Sequence, residues 1–172
     1  VGEAETKTSF KACENRGEVK GNGYVGGVAG RVQQEVRFED CSNSGDINGY
    51  SDIGGICGGQ DQNLLTFIRC SNTGDITADG AGSEAINAQY VYAGGILGKG
   101  GTDVRIEDCT NEGAIVAQGR FAGGIAGRVR SGSGTPATFI NCNNLGEVQS
   151  ILRYTGGIVG GIMNSQNDYS GG

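Results

Sequence analysis

The sequence predicts an all-β chain wound into a parallel β-helix (a solenoid) of about five coils, one coil per repeat of roughly 28–39 residues. Three observations carry that expectation. One motif recurs five times in fixed order, its constant positions alternate as strand faces do, and glycine is abundant while proline is nearly absent.

The first element of each repeat reads [Phe/Ile]-x-x-Cys-x-Asn-x-Gly-x-[Val/Ile]. Its copies hold Phe10, Cys13 and Asn15; Phe38, Cys41 and Asn43; Phe67, Cys70 and Asn72; Ile106, Cys109 and Asn111; and Phe139, Cys142 and Asn144. Cys, Asn, Gly and Val/Ile are two apart, so Cys, Asn and Val/Ile share the inner face of a strand. Glu14, Arg16 and Glu18 show the varied, polar outer side in the first copy. If each repeat is one coil, equivalent residues stack at about 4.8 Å. Columns of Phe, Cys, Asn and Val/Ile result, and the Asn amides satisfy one another and the turn backbone, as stacked amides do in cross-β assemblies.

The second element reads Gly-Gly-[Val/Ile]-x-Gly, at Gly26, Gly54, Gly94, Gly123 and Gly156. Val28 and its equivalents are expected inside. Val25, Ile53, Ala93 and Ala122 have the opposite parity and also look buried, so the Gly pair is expected to bend the chain, with glycine supplying positive φ. An aromatic sits two before the pair in Tyr24, Tyr92, Phe121 and Tyr154, with Asp52 the exception. Successive cysteines lie 28, 29, 39 and 33 residues apart. The longer intervals carry insertions around 79–90 and 131–137.

A propeller blade needs about 40 residues or more, a sandwich does not repeat one motif five times, and no leucine framework is present. The expected division is one domain over 1–163, with repeats near 10–37, 38–66, 67–105, 106–138 and 139–163, and a flexible tail over 164–172. Val1–Ser9 are expected to form a partial cap. The general crossover preference predicts right-handed winding.

The paired elements resemble the GLUG-type repeat of bacterial secreted and cell-surface proteins, among them adhesin-like proteins and regions beside immunoglobulin A metalloproteases. The resemblance covers about Phe10 to Met163, departing from it at Cys57 and in the insertions. It implies an extracellular repeat scaffold and transfers no catalytic residue.

Composition bounds the chemistry. Net charge is −6, with no histidine. An acidic chain is not built to gather phosphates, so nucleic acid is not expected as a partner. Lack of histidine removes the commonest general base and metal ligand. No Cys-x-x-Cys occurs, so zinc is not expected. No apolar run approaches a membrane span of about 20 residues. The five column cysteines, and Cys57, are read as reduced core residues.

Glu18, Asp46, Asp75 and Glu147 form an acidic row broken at Ala114. Ca²⁺ would relieve their repulsion, but no calcium motif supports it. The favoured reading is a solvated face with no cofactor. A basic row, Arg31, Lys99 and Arg128, is read the same way. Glu39–Asp40 and Glu107–Asp108 are adjacent acids, which alternating strand faces point apart. A glycosidase needs two acids facing one cleft.

The expected function is a non-catalytic module of an extracellular or surface-bound bacterial protein, serving as stalk or scaffold and as an adhesion site for host protein or glycan. The alternative is a fragment of a carbohydrate-active β-helix enzyme, a lyase or glycosidase. The chain is expected to be monomeric and flanked by other domains of a larger parent. Contact with a ligand is assigned to the third-repeat insertion, at Glu84, Asn87, Gln89 and Tyr90.

Overall fold

The computed structural model describes residues 7–60, 64–80, 90–132 and 136–164. Its strands form five parallel sheets of five strands, each coil giving one strand to each sheet. Coil two shows the pattern, with strands Val36–Glu39, Ser42–Asn43, Ile47–Gly49, Asp52–Gly54 and Cys57–Gly59 in the first to fifth sheets. The chain is therefore a parallel β-solenoid of five coils.

Register follows the motif. Phe10, Phe38, Phe67, Ile106 and Phe139 pair in one row. Asn15, Asn43, Asn72, Asn111 and Asn144 pair in another. The extra residues of the longer repeats leave this register intact. One insertion departs between Ala78 and Tyr92, from third sheet to fourth, and the other between Ser131 and Thr138, from fifth sheet to the next first sheet. Residues 81–89 and 133–135 lie outside the described set, and so do 1–6 and 165–172. At the N-terminal end, Thr8 and Ser9 are strand residues paired with Val36 and Arg37. At the other end the last strand runs Val159–Asn164, with Asn164 paired to Ser131. Both ends of the solenoid thus reach slightly beyond the repeats as read from sequence.

The chain bends at the Gly pair as expected, but not through positive φ. Among the described glycines only Gly80 has a left-handed φ, of 63°. The corner before each cysteine is instead turned by Ala12, Asp40, Arg69, Asp108 and Asn141, with φ between 49° and 54°. Asp and Asn tolerate this region, whereas Ala and Arg are strained in it. What holds them is the next coil: the Ala12 N–H donates to the Glu39 carbonyl at 2.9 Å, and the Arg69 N–H to that of Glu107 at 3.0 Å.

The motif glycines serve close approach. After each Gly-Gly turn the fifth sheet folds back onto the fourth with no side chain between the two backbones. A Cβ on Gly98 would meet the Gly58 carbonyl oxygen at 2.5 Å and the Ile53 nitrogen at 2.6 Å. One on Gly127 would meet the Gly98 carbonyl oxygen at 2.6 Å and the Ala93 nitrogen at 2.7 Å. The second glycine of the first four pairs lies against the asparagine ladder. A Cβ on Gly27 would stand 2.6 Å from Asn43 Oδ1, and one on Gly55 2.5 Å from Asn72 Oδ1.

This waist of glycine and asparagine divides the interior into two cores. One gathers the Phe and Cys columns with Val36, Leu65, Val104 and the inward residues Ile56, Ile96 and Ile125. The other gathers Ile47, Ile76 and Ile115 with Val25, Ile53, Ala93 and Ala122. The two parities around the Gly pair are thus both buried, each in its own core. Phe10, Phe38 and Phe67 stack face to face at 4.9 Å between centroids. Coil five is the apolar end: Leu145, Ile151, Leu152, Tyr154 and Ile162 are all exposed there.

Candidate functional site

The asparagine ladder is the most regular polar feature. Asn15, Asn43, Asn72 and Asn111 each donate from Nδ2 to Oδ1 of the next asparagine at 2.7–2.8 Å. The same nitrogen donates to the glycine carbonyl two residues on, at 2.7–2.8 Å. Asn144 makes that local bond to Gly146 as well. Both Nδ2 protons and Oδ1 are used in the three middle copies, which are fully buried. A buried polar column is stable on those terms. Its chemistry is structural.

The cysteine column is also structural. All six cysteines are free thiols. The column members donate weakly to carbonyls two residues back, as Cys41 does to Glu39 at 3.4 Å and Cys109 to Glu107 at 3.2 Å. Burial pushes the Cys41 thiol up to about 11 and Cys57 to about 12. A hydrogen bond with Cys70, and then burial, raise Cys109. At these three the shift is opposite to the lowering that makes a reactive thiolate, while the same hydrogen bond lowers Cys70, whose side chain is buried.

The acidic row has a backbone role. Asp46 Oδ1 accepts the Asp75 N–H at 3.0 Å, and Asp75 Oδ1 accepts the Ala114 N–H at 2.8 Å. Each carboxylate thus reaches along the stack to the coil above it. Among the described residues no group of three or more His, Cys, Asp or Glu side chains could hold a metal ion.

Three of the four adjacent acids are ion-paired, and the fourth, Asp108, accepts from Asn141 Nδ2 at 3.1 Å. Arg69 donates to both oxygens of Asp40 at 2.7 and 3.0 Å and to Glu39 at 2.8 Å. Arg37, and then Arg69, hold the Glu39 carboxyl below its usual range, and Arg69 does the same for Asp40. Arg105 pairs with Glu107 at 2.6 Å. A general acid needs its pKa raised, so the Glu39–Asp40 pair is set up as structural ion pairs.

The basic row keeps the expected exposed face at Arg31 and departs from it at Arg128. Arg128 is only 1% exposed. It lies over the Tyr92 ring at 5.7 Å, and Lys99 sits between Tyr92 at 5.7 Å and Tyr24 at 6.0 Å. Arg31 covers Tyr24 at 4.9 Å. The cations interleave with the aromatic column, because Gly59 leaves room for the Tyr24 ring, whose Cδ1 would stand 3.0 Å from a Cβ there. Tyr92 itself is buried and packs on Phe121 at 5.2 Å.

Of the residues expected to contact a ligand, Glu84, Asn87 and Gln89 lie outside the described residues, and Tyr90 is half-buried. The insertion is rooted at the side of a groove that the sequence reading missed. This groove, about 380 Å³ in volume, is lined by Glu18, Lys20, Asn22, Asn48, Tyr50 and Asp79, over the backbone of Gly21 and Gly49. It lies where the first three coils turn from the third sheet toward the fourth. Two outward columns meet there. One runs Lys20, Asn48, Thr77, Val116, Gln149, and the other follows it two residues on as Asn22, Tyr50, Asp79, Gln118, Ile151. Aligning those variable positions would have exposed the signal: the aromatic that coil two lacks at Asp52 reappears two residues earlier, at Tyr50.

Residues 21–48 match the family model described as the GLUG motif. The chain matches no curated protein and no solved structure. The matched stretch begins just after the first coil's third-sheet strand and passes through the fourth, fifth, first and second sheets into the third-sheet strand of coil two, and the other coils carry the same Gly-Gly, Phe/Ile, Cys and Asn rows in register: the chain holds one matched GLUG motif and repeats its pattern coil after coil.

Proposed function

We propose that this repeat module is a non-catalytic scaffold of an extracellular bacterial protein, a rigid rod that holds a recognition surface for adhesion to host protein or glycan. The observation that supports this reading is the division of labour across the coil. Inward columns repeat without interruption through five coils and are locked by the asparagine ladder. The outward columns between third and fourth sheets change residue from coil to coil and border the longest insertion. Loops and variable positions on a rigid frame are where recognition concentrates. Of the adjacent acids that a sugar-cleaving enzyme could use, Glu39 and Asp40 are held in ion pairs by Arg69 and Glu107 by Arg105, while Asp108 accepts from Asn141.

The test is a glycan-array and mucin-binding screen on the intact chain. Saturable binding to a defined set of glycans or to mucin is the expected result. A well-folded sample that binds nothing on either would leave a passive spacer and refute the adhesion half of the reading.

A further inference from the structure

The groove between the third and fourth sheets has the chemistry of a sugar subsite, and we propose that it binds a neutral pyranose, a terminal or internal hexose of a glycan. The proposal rests on the adhesion reading and names its site and ligand class. A pyranose presents an apolar C–H face and a rim of vicinal hydroxyls. Its recognition therefore calls for an aromatic surface beside amide and carboxylate groups that accept and donate in pairs. The groove supplies that set. Tyr50 is its aromatic, half-buried in a wall whose other side chains are Asn22, Asn48, Glu18, Asp79 and Lys20. Its volume falls in the roughly 300–1,000 Å³ range of small-ligand pockets.

The polar groups are pre-positioned. Asn48 Nδ2 donates to Glu18 Oε1 at 3.2 Å, and Lys20 Nζ pairs with the same oxygen at 2.8 Å. The backbone beneath is fixed by the Gly21 N–H donating to the Asn48 carbonyl at 3.1 Å and the Asp79 N–H to the Gly49 carbonyl at 2.9 Å. A ligand entering here meets side chains already held in place, which reduces the ordering cost of binding.

Charge selects the class of sugar. Two carboxylates, Glu18 and Asp79, face one ammonium, Lys20, and that ammonium is engaged by Glu18. A sialic acid, a uronate or a sulfated sugar would bring a third negative charge into this wall. A neutral hexose or N-acetylhexosamine does not. The placement of Tyr50 supports recruitment to the groove. In coils one, three, four and five the aromatic stands two before the Gly pair, at Tyr24, Tyr92, Phe121 and Tyr154, where the last three pack ring on ring and Tyr24 lies under Arg31. Coil two has Asp52 there, and its aromatic stands on the outward column, where the other coils carry Asn22, Asp79, Gln118 and Ile151.

The experiment is saturation-transfer NMR and titration of the 172-residue chain with methyl β-galactoside, methyl α-mannoside and N-acetylglucosamine, with sialic acid as the anionic comparison. One neutral sugar is expected to bind with a Kd on the order of 1 mM, the usual strength of a single small polar ligand with few contacts. Tyr50→Ala should weaken it at least tenfold, Tyr50→Phe should retain it, and Glu18→Gln should weaken it. Position 50 accepts polar residues in other coils, so these variants should keep the wild-type melting curve. Array binding that survives Tyr50→Ala overturns the groove assignment and leaves the adhesion reading standing. Binding to sialic acid alone overturns the choice of a neutral sugar. No response to any monosaccharide and none on the array overturns the groove and the adhesion reading together.

Discussion

Gly49 and Ile53 are complementary across the second core: a Cβ on Gly49 would stand 2.6 Å from Ile53 Cδ1. The same two columns hold Gly21 with Val25, Ala78 with Ala93, and Ala117 with Ala122. Where one wall is bare the other is large, and where both are alanine the volume is shared. Interior packing at crystal-like density enforces such exchange.

A double-mutant cycle measures that coupling. Gly49→Ala should cost about 1–3 kcal/mol by overpacking, and Ile53→Ala about 2–5 kcal/mol by leaving a cavity. The double variant recreates the Ala78–Ala93 pair of coil three, so it should be more stable than the sum of the single effects by about 1 kcal/mol or more. Strict additivity in urea denaturation would refute the compensation. The Gly21 carbonyl oxygen, 2.9 Å from the same Cβ position, sets the residual cost.

Most of the fold was legible in the sequence because a solenoid writes its register into the spacing of its residues. Phe38 and Phe67, and Asn43 and Asn72, pair because the motif places them equally in each coil. The bends were harder to read. Positive φ falls on Ala12 and Arg69, residue types that give no turn signal, while the glycines that do give one serve backbone contact. Which strands approach within a few ångströms is a tertiary fact, and so is the burial of Arg128 over the Tyr92 ring of the neighbouring coil. The groove was missed for a related reason. Glu18, Asn48, Tyr50 and Asp79 come from three coils and belong to outward columns, which the motif leaves unspecified.

The glycines should divide sharply by what surrounds them. Gly98→Ala forces a Cβ onto the Gly58 carbonyl and the Ile53 nitrogen, backbone atoms that cannot rotate away. It should destabilise by about 3 kcal/mol or more. Gly23 and Gly157 have nothing within 4 Å of that position, and neither carries a left-handed φ. Alanine at either should be neutral or stabilising by up to about 1 kcal/mol, through the entropy of the unfolded chain. Thermal melts of the three variants check this, and equal losses at all three sites would contradict the close-approach account.

Breaking the ladder at its middle should reveal how the amide is used. Asn72 donates to Asn111 and to Gly74 and accepts from Asn43, with its side chain fully buried. Asn72→Ala strands partners on both sides, at about 1–3 kcal/mol for each group left unsatisfied. Asn72→Asp keeps the shape but loses the donors and adds a buried carboxylate. Burial would raise that group's folded pKa, so the folded state holds its proton to higher pH than the unfolded state. The variant's stability should therefore fall as pH rises above about 4, the unfolded value. Urea midpoints at pH 4 and pH 7 test it: a smaller deficit at pH 4 is expected for Asn72→Asp, and no such pH dependence for Asn72→Ala.

The buried thiols give a second pH dependence, in the alkaline range. Cys41 is raised to about 11 and Cys57 to about 12 by burial, against about 8.5 in an unfolded chain. The folded state keeps these protons where the unfolded state releases them. Their contribution to stability is therefore complete below about 8.5 and declines as pH rises toward 11 and 12. Urea midpoints should drop between pH 9 and pH 11, and Cys57→Ala should flatten part of that slope. Cys57 stands in a row whose other members include Ala29 and Ala126, so alanine fits the site's shape in neighbouring coils. A thiol-specific disulfide reagent at pH 8 should leave Cys41 and Cys57 unmodified in the native protein and label both in urea. Rapid native labelling of Cys57 would mean that the core it shares with the phenylalanine and cysteine columns opens readily, contrary to its complete burial there.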